Sequence, residues 1–189
     1  MSRRCDDGGV TTCIVLLRGI NVGKNNRLKM EDFRTAVEAA GGRNVLTLLA
    51  SGQAVAKVQE PFSENAFAEQ VGRELRDRFG LSVAVAVRTG EHLAQVIEAN
   101  PYPHLVATPK QLHVVFLDVA PDPETVTLIG TRHGDDEFAV GDRVLYLAFS
   151  RQSHDSPLVG ALRALNGGAG TARNWATITK LDTLVRSLG

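Results

Sequence analysis

The first clear pattern in the chain is an apolar run at Cys13–Leu17 that occupies both alternating sides of an extended segment. Such a run predicts a strand buried on both faces. A helical repeat follows, with an apolar stripe at Met30, Phe33, Val37 and Ala40. Two more strands are predicted at Asn44–Ala50 and Ala54–Val58, joined by a hairpin turn at residues 51–53.

A second helix is predicted after Ser63, whose hydroxyl is suited to capping the first turn, and Gly80 ends it. Its apolar ridge consists of Phe67, Val71, Leu75 and Phe79. Leu81–Val87 is predicted as the next strand, which completes the order of a ferredoxin-like βαββαβ unit. We therefore predict a ferredoxin-like subdomain over residues 13–100, preceded by a disordered tail at residues 1–12.

The second half of the chain follows a break at Pro101-Tyr102-Pro103 and repeats most of this order. Its predicted elements are a strand at Leu112–Leu117, a helix from Asp122 to Ile129, strands at Glu137–Val140 and Val144–Phe149, and helices at Pro157–Leu165 and Trp175–Leu188. Residues 101–189 are thus predicted to be a second subdomain, βαββα plus a C-terminal helix. The predicted fold class is α+β, with the two subdomains packed together because the first strand must be covered on both faces.

Composition and cysteine usage narrow the classes of function. The 189 residues are 43% hydrophobic and 22% charged with zero net charge, so charge alone favours neither nucleic-acid nor membrane binding. Cys5 and Cys13 match no metal motif and suggest no disulfide framework, which favours a reducing compartment. The apolar run at residues 13–17 is too short for a signal peptide or a membrane span. A cytoplasmic location is therefore expected.

The charges are unevenly distributed. Gly8–Met30 contains four basic residues and no acidic one, and Gly160–Gly189 contains four basic residues against Asp182 alone. Asp118–Asp142 instead contains seven acids against Arg132. If the two basic segments meet, they could attract an anion, and the alternative is that these charges are scattered over a solvated surface.

The glycine-rich segment Gly19–Asn25 follows a strand and precedes a helix, as a phosphate-binding P-loop does. The match fails because the glycine spacing is one residue short, Asn25 replaces the magnesium-binding Ser or Thr, and the helix begins too late. An anion held by loop N–H groups with Arg18 and Lys24 is the remaining functional interpretation. The alternative is a surface connection whose glycines permit positive φ.

The segment Thr171–Trp175 precedes the last predicted helix. Asn174 or Thr171 is suited to capping that helix, and Trp175 lies on its apolar stripe. Arg173 has no evident packing role, and an arginine beside a helix N-terminus favours anion binding. The alternative is that this segment only caps the helix and contributes Trp175 to the core, without binding a ligand.

Catalytic and metal-binding signals are weak. Neighbouring residues in the segment 153–156, Ser-His-Asp-Ser, cannot form a catalytic triad among themselves, and Ser51 lacks a nucleophile elbow. Carboxylates at Asp135, Asp136 and Glu137, near His133, could hold a hard cation. The commoner interpretation is that they are solvent-exposed polar residues at the entrance to a strand. His113 in its apolar strand is expected to be a satisfied core histidine. No catalytic residue, metal site or cofactor is predicted.

Several segments together resemble the domain of unknown function 1697 (DUF1697) family. These are Leu17–Gly23, Lys29–Phe33, Ser51-Gly52, Asp136–Val140 with Tyr146-Leu147, and Thr171–Trp175 through Lys180-Leu181. The resemblance implies two α+β subdomains, the first ferredoxin-like, and no activity. It also implies a set of recurring polar positions, here Arg18, Gly19, Asn21, Gly23, Ser51, Gly52, Arg173, Asn174 and Trp175. This chain departs from the family at Gln53, where Asn is usual, and at Pro157, where a basic residue is usual.

These observations favour a cytoplasmic binding protein for a small phosphate or carboxylate. Its site is predicted at the loop after the first strand and the start of the last helix. The predicted ligand contacts are Arg18, Gly19, Asn21, Gly23, Lys24, Ser51, Arg173, Asn174 and Trp175. The alternatives are a protein-interaction module without a small ligand, single-stranded nucleic-acid binding, and an enzyme whose site is assembled only in space. Nucleic-acid binding ranks lower because the predicted strands of the first half contain no aromatic residue.

Overall fold

The computed structural model describes residues 9–21, 26–48, 50–151, 156–165 and 170–189. The chain forms two compact units. The first comprises the chain up to Gly90 together with Thr183–Gly189, and the second comprises Glu91–Asp182.

The first unit contains a four-stranded sheet and two helices. In chain order these are β1 Val10–Leu17, α1 Met30–Ala39, β2 Arg43–Leu48, β3 Gln53–Gln59, α2 Glu64–Phe79 and β4 Val85–Thr89. The strand order is β2-β3-β1-β4, and each neighbouring pair is antiparallel. This is the ferredoxin-like topology, as predicted. The last strand begins at Val85 rather than Leu81 because its pairing with β1 starts opposite Leu17, where β1 ends.

The core of the first unit follows the alternation of β1. Cys13, Val15 and Leu17 pack with apolar residues of α1 and α2 on one face of the sheet. The residues between them, Ile14 and Leu16, are also fully buried, so the prediction of a strand buried on both faces is confirmed. The helix residues of this core include Phe33, Val37, Phe67, Val71 and Leu75.

The caps of α2 also follow the sequence prediction. The Ser63 hydroxyl accepts a hydrogen bond from the Ala66 N–H (3.4 Å), which satisfies one donor of the first turn. Gly80 ends the helix in the left-handed conformation at φ +64°.

The second unit contains the second four-stranded sheet. Its elements are α3 Gly90–Glu98, a 3₁₀ turn Pro103–Leu105, β5 Leu112–Phe116, α4 Pro123–Gly130, β6 Glu137–Gly141, β7 Val144–Ala148, α5 Pro157–Leu165, β8 Thr171–Asn174 and α6 Trp175–Leu188. Gly90 of α3 and the end of α6 are counted with the first unit. The strand order is β6-β7-β5-β8.

Strand β8 corrects the predicted βαββα order. Thr171–Asn174 pairs antiparallel with β5 at the edge of the sheet, whereas the sequence predicted only a connection between helices. Four residues of the type Thr-Ala-Arg-Asn have neither the length nor the apolar alternation of a recognisable strand. The second unit therefore has the complete βαββαβ order of the first.

The two units match strand for strand. In the first sheet, Ile14 of β1 lies between Val55 of β3 and Arg88 of β4. In the second sheet, Val114 of β5 has the equivalent position, between Tyr146 of β7 and Arg173 of β8. At the next turn, the Leu17 N–H donates to the Gly52 carbonyl and the Leu117 N–H donates to the Arg143 carbonyl, both at 2.8 Å. The repeated order noted in the sequence is thus a repeated structure, with a buried arginine on the fourth strand of each sheet.

Within the described ranges, the chain has no helix that is both long and apolar enough to span a membrane.

Candidate functional site

Asn21 joins the described residues at the two ends of the loop after β1 to each other and to the hairpin. This residue lies in the left-handed region at φ +54°. Its Nδ2 donates to the carbonyl oxygens of Leu28 (2.9 Å) and Ala50 (2.7 Å), and its Oδ1 accepts from the Leu28 N–H (2.9 Å). The Asn21 N–H donates to the Asn26 carbonyl (3.0 Å), and Asn26 Nδ2 donates to the Gly19 carbonyl (3.1 Å). Both amide hydrogens of Asn21 are therefore used to fasten the loop.

The hairpin between β2 and β3 packs directly against this loop. Gly52 has φ +76°, and a Cβ at this position would lie 2.7 Å from Ile20 Cδ1 and 2.9 Å from Leu17 Cβ. Only glycine combines this conformation with so close an approach. The hairpin residues Ala50–Gln53 and the loop residues Arg18–Asn21 thus form one packed group, called here the loop–hairpin cluster.

Gln53 is the buried polar residue of the loop–hairpin cluster. Its side chain is 0% exposed. Nε2 donates to the Ser51 hydroxyl (3.1 Å), and Ser51 itself is exposed at the turn. Oε1 has no hydrogen-bond partner among the residues that the structure describes. Buried acceptors are rarely left in this state, so this oxygen needs an explanation.

The sequence segment that supplies the loop of the cluster is basic. Arg18 is half-buried, and its N–H donates to the Ala84 carbonyl (3.0 Å). Arg27 and Lys29 follow in the same segment, and no acidic residue occurs between Gly9 and Met30. Gly23 and Lys24, which were also predicted as ligand contacts, lie outside the described residues.

The second group of predicted ligand contacts lies just before and at the start of α6, and its first residue, Arg173, is buried. Arg173 on β8 is 9% exposed, and its Nη1 donates to Thr171 Oγ1 (2.6 Å) and to the Ala172 carbonyl (2.7 Å). Burial lowers the pKa of Arg173 to about 10, which leaves the side chain protonated at neutral pH. Arg88, at the matching position of the first unit, makes the same kind of bond to the Val87 carbonyl (2.5 Å).

Asn174 and Trp175 have structural roles. Asn174 Oδ1 accepts from the N–H (3.0 Å) and the hydroxyl (2.9 Å) of Thr177, so Asn174 caps α6 as expected. Trp175 is 5% exposed, and its backbone N–H donates to the Pro109 carbonyl (3.2 Å). Two of the first N–H groups of α6 are thus already bonded within the protein.

The predicted contacts therefore fall into two groups. Arg18, Gly19, Asn21 and Ser51 lie in the loop–hairpin cluster of the first unit, and the segment 173–175 lies at the β8–α6 junction of the second.

Asp136 is a polar centre whose role the sequence did not indicate. It is 4% exposed and accepts hydrogen bonds from the Ser150 N–H (2.8 Å), the Ser150 hydroxyl (2.9 Å) and the Ser156 hydroxyl (2.5 Å). Burial acts to raise the pKa of Asp136, but the hydrogen bonds from Ser156 and Ser150 outweigh it and hold the pKa below its usual range. The expectation of a solvated strand entrance is wrong for Asp136, which instead ties the start of β6 to the segment before α5.

The residues around Asp136 include the carboxylates and the serine that the sequence raised as metal-binding and catalytic candidates. Over the described part of the chain, no three His, Cys, Asp or Glu residues are grouped to hold a metal ion. Ser156 Oγ also accepts from the N–H groups of Leu158 (3.1 Å) and Val159 (3.4 Å), so it caps α5. A cavity of about 260 Å³ beside it is lined by Gly134, Asp135, Asp136, Ser150, Arg151, Ser156 and Pro157. The predicted Ser153, His154 and Asp155 lie outside the described residues.

His113 differs from the expected satisfied core histidine. Its Nδ1 is buried without a hydrogen-bond partner in the described ranges, and its ring packs edge-on against Phe149 at 5.1 Å between centroids. Burial lowers the pKa of His113 to about 4, so the ring is neutral at physiological pH.

This burial predicts a loss of stability in mild acid. The unfolded chain binds a proton at His113 near pH 6.5, whereas the folded chain does so only near pH 4. The free energy of unfolding therefore falls across this window, by roughly 2 kcal/mol. Denaturant titrations from pH 7 to pH 4 should show a shallower decline in His113→Leu than in wild type or in His104→Leu, a variant of an exposed histidine. Equal slopes in all three proteins would contradict the burial argument.

Comparisons with known proteins define the family and the fold. A family model described as "Protein of unknown function (DUF1697)" matches residues 10–146. No curated protein is significantly similar in sequence. A solved structure, that of the conserved bacterial protein SP0830 from Streptococcus pneumoniae, is similar with a TM-score of 0.73 and 18% identity over 94% of this chain and 99% of that one. At this identity the likeness concerns the fold alone.

Proposed function

The chain belongs to the DUF1697 family, whose description assigns no activity, and we propose that it binds a small phosphate or carboxylate at the loop–hairpin cluster. The observation that carries the proposal is the set of hydrogen bonds that fastens the described ends of a basic segment to each other and to the hairpin. Hydrogen bonds of Asn21 and Asn26 close the loop and attach it to the hairpin at the Ala50 carbonyl. Residues that are already fastened in this way lose little conformational entropy when a ligand binds.

Charge favours an anion as the ligand. The cluster lies in a segment with basic residues at Arg18, Lys24, Arg27 and Lys29 and with no acid. A half-buried guanidinium such as that of Arg18 suits the planar geometry of carboxylate and phosphate, and partial burial strengthens the attraction. Gly19, which is exposed and has positive φ, leaves the backbone of the loop uncovered, since a Cβ there would meet nothing within 4 Å.

The segment 173–175 at the β8–α6 junction is still predicted to contact a ligand, separately from the loop–hairpin cluster. Arg173 contributes a charged and positioned guanidinium there, while Asn174 and Trp175 have cap and core roles. A variant of Arg173 therefore accompanies the variant of Arg18 in the test.

Single-stranded nucleic acid is a weaker candidate ligand. None of the strands β1 to β4 contains an aromatic residue on which a base could stack.

The proposal is tested by thermal unfolding with a panel of small anions. The panel contains inorganic phosphate, nucleotides, sugar phosphates, simple carboxylates and a short RNA. A compound present at a hundred times its dissociation constant stabilises the folded state by about 2.7 kcal/mol, which raises the midpoint by roughly 5–10 °C at this chain length. We expect such a rise in wild type, its loss in Arg18→Ala, and its retention in Arg34→Ala, a matched change at an exposed arginine of α1.

The other outcomes distinguish the remaining functions. No rise with any compound in the well-folded wild type would contradict the proposal and favour a protein-interaction module. A rise with RNA alone would favour nucleic-acid binding. Loss in Arg173→Ala but not in Arg18→Ala would move the site to the second unit.

A further inference from the structure

His92 joins the start of α3 to the turn between β6 and β7. It is the third residue of α3, and its side chain is 5% exposed. Its Nε2 lies 3.0 Å from the Asp142 carbonyl oxygen, and its Nδ1 lies 3.2 Å from Nη2 of Arg143. Asp142 and Arg143 are the two residues between these strands, so both ring nitrogens of His92 bind the same turn.

These two partners determine which ring nitrogen of His92 carries hydrogen. A carbonyl oxygen can only accept a hydrogen bond, so Nε2 must be the nitrogen that donates to Asp142. A guanidinium group can only donate, so Nδ1 must be unprotonated and accept from Arg143. The geometry therefore requires a neutral His92 with its hydrogen on Nε2.

A second proton on His92 is incompatible with this arrangement. It would occupy Nδ1, which accepts from Arg143, and it would place two cations in contact where His92 is almost shielded from water. His92 also lies in the first turn of a nine-residue helix, where the helix dipole disfavours positive charge. The acidic groups of the elements that meet here are Glu91 of α3, Asp142 of the turn and Asp118 after β5. All three are exposed, so water and salt weaken their attraction for a protonated ring.

The turn that His92 holds is also bonded to the end of β5. The Arg143 carbonyl accepts from the Leu117 N–H (2.8 Å). Arg143 has φ +49°, a conformation that a residue with a side chain adopts when its surroundings hold it there. Loss of the two bonds to His92 would therefore loosen the turn and, with it, the bond to Leu117.

We propose that His92 is a pH-sensitive latch on the β6–β7 turn. The neutral ring fastens the turn to α3. A second proton, taken up at Nδ1, displaces the Arg143 guanidinium and opens the end of the hairpin. The latch is closed at neutral pH and opens as pH falls through the range in which histidines become protonated. This inference is independent of the anion site proposed for the first unit.

NMR spectra of the ring nitrogens test the closed state of the latch. At pH 7, the chemical shifts of isotope-labelled protein should show an unprotonated Nδ1 and a protonated Nε2 at His92. A protonated Nδ1 at this pH would overturn the proposal, because Arg143 could then not donate a hydrogen bond to it.

Amide hydrogen exchange tests the opening of the latch. The Leu117 N–H reports on the turn, and the equivalent Leu17 N–H, which donates to the Gly52 carbonyl at 2.8 Å in the first unit, is the internal control. The protein carries His113→Leu in this experiment, so that the buried ring of His113 does not titrate. From pH 7 to pH 4.5, the protection factor of Leu117 should fall by about ten-fold, whereas that of Leu17 should not change.

His92→Gln is the matched variant for this experiment. The glutamine amide can donate to the Asp142 carbonyl and accept from Arg143, but it does not titrate, so the fall in Leu117 protection should disappear. Arg143→Asn keeps a residue type that tolerates positive φ but lacks the guanidinium. It should show lowered protection of Leu117 already at pH 7.

Two results of the exchange experiment would overturn the proposal. One is a constant Leu117 protection factor in the parent protein, and the other is an equal fall in the parent and in His92→Gln. If His92→Gln does not fold, the assignment of the ring nitrogens and the comparison of Leu117 with Leu17 decide the question.

Discussion

Replacing Asp136 by alanine is expected to lower the free energy of unfolding by about 2–3 kcal/mol, because it removes a buried, charged acceptor that binds three donors. The Ser150 N–H and the hydroxyls of Ser150 and Ser156 would lose their partner within the fold. In a chain of 189 residues this corresponds to a midpoint lower by roughly 5–10 °C. Denaturant or thermal unfolding followed by circular dichroism measures the effect.

Asp135→Ala is the matched control for this prediction. Asp135 is the exposed neighbour of Asp136, and its replacement should change stability by no more than about 0.5 kcal/mol. The pH dependence supplies a second check. Since the pKa of Asp136 is lowered in the folded state, its stabilisation is present above the unfolded-state value of 3.8 and is lost as pH falls through the folded-state value. Asp136→Asn should lack this loss. Equal stability of Asp136→Ala and Asp135→Ala would show that Asp136 does not hold these segments together.

Replacing Gly52 by alanine is expected to destabilise the protein by about 2–5 kcal/mol through two separate effects. The backbone at φ +76° disfavours any side chain, at a cost of about 1–2 kcal/mol. The new Cβ would also lie 2.9 Å from Leu17 Cβ, an atom held by the central strand, and overpacking of this kind costs about 1–3 kcal/mol. Urea titration of the variant gives the total.

Gly80→Ala separates the two effects. Gly80 has φ +64°, and a Cβ there would meet nothing within 4 Å, so only the conformational cost applies. The difference between the two variants therefore measures the packing between hairpin and loop. Equal losses in Gly52→Ala and Gly80→Ala would mean that the loop–hairpin cluster is not tightly packed.

Much of the fold could be predicted because the hydrophobic periodicity of the long elements is strong. Apolar residues on both sides of β1 predict a buried strand, and apolar residues repeating every 3.6 positions in α1 and α2 predict amphipathic helices. The order of these elements along the chain then favours the ferredoxin-like topology. The caps at Ser63 and Asn174 were also predictable, because short polar side chains before an apolar helix have a defined hydrogen-bonding role.

Strand β8 could not be predicted because its pairing partner lies far away in the sequence. Its four residues become a strand only through the ladder with β5, in which Val114 lies opposite Arg173 and Phe116 opposite Thr171. Arg173 consequently looked like a loop residue with no packing role, whereas it is a buried residue of a sheet. Long-range pairing overrides weak local preference in such short edge strands.

The sequence could propose where a site lies, but it could not show how the residues there are bonded. Glycines and polar residues after β1 predicted either an anion-binding loop or a surface connection, whereas the bond from Asn21 to the Ala50 carbonyl joins segments 29 positions apart. The unsatisfied oxygen of Gln53 and the three donors around Asp136 are likewise properties of packing. A sequence motif shows that such residues are present, and only the fold shows whether their atoms are already bonded.

The most direct test of an anion site in the loop–hairpin cluster is a titration of isotope-labelled protein with inorganic phosphate, followed by amide chemical shifts in NMR spectra. We predict saturable shifts concentrated at Arg18–Asn21 and Ser51–Gln53, with the same dissociation constant at each amide and with loss of these shifts in Arg18→Ala. Shifts that are absent, or that are spread over the surface without saturation, would contradict the account.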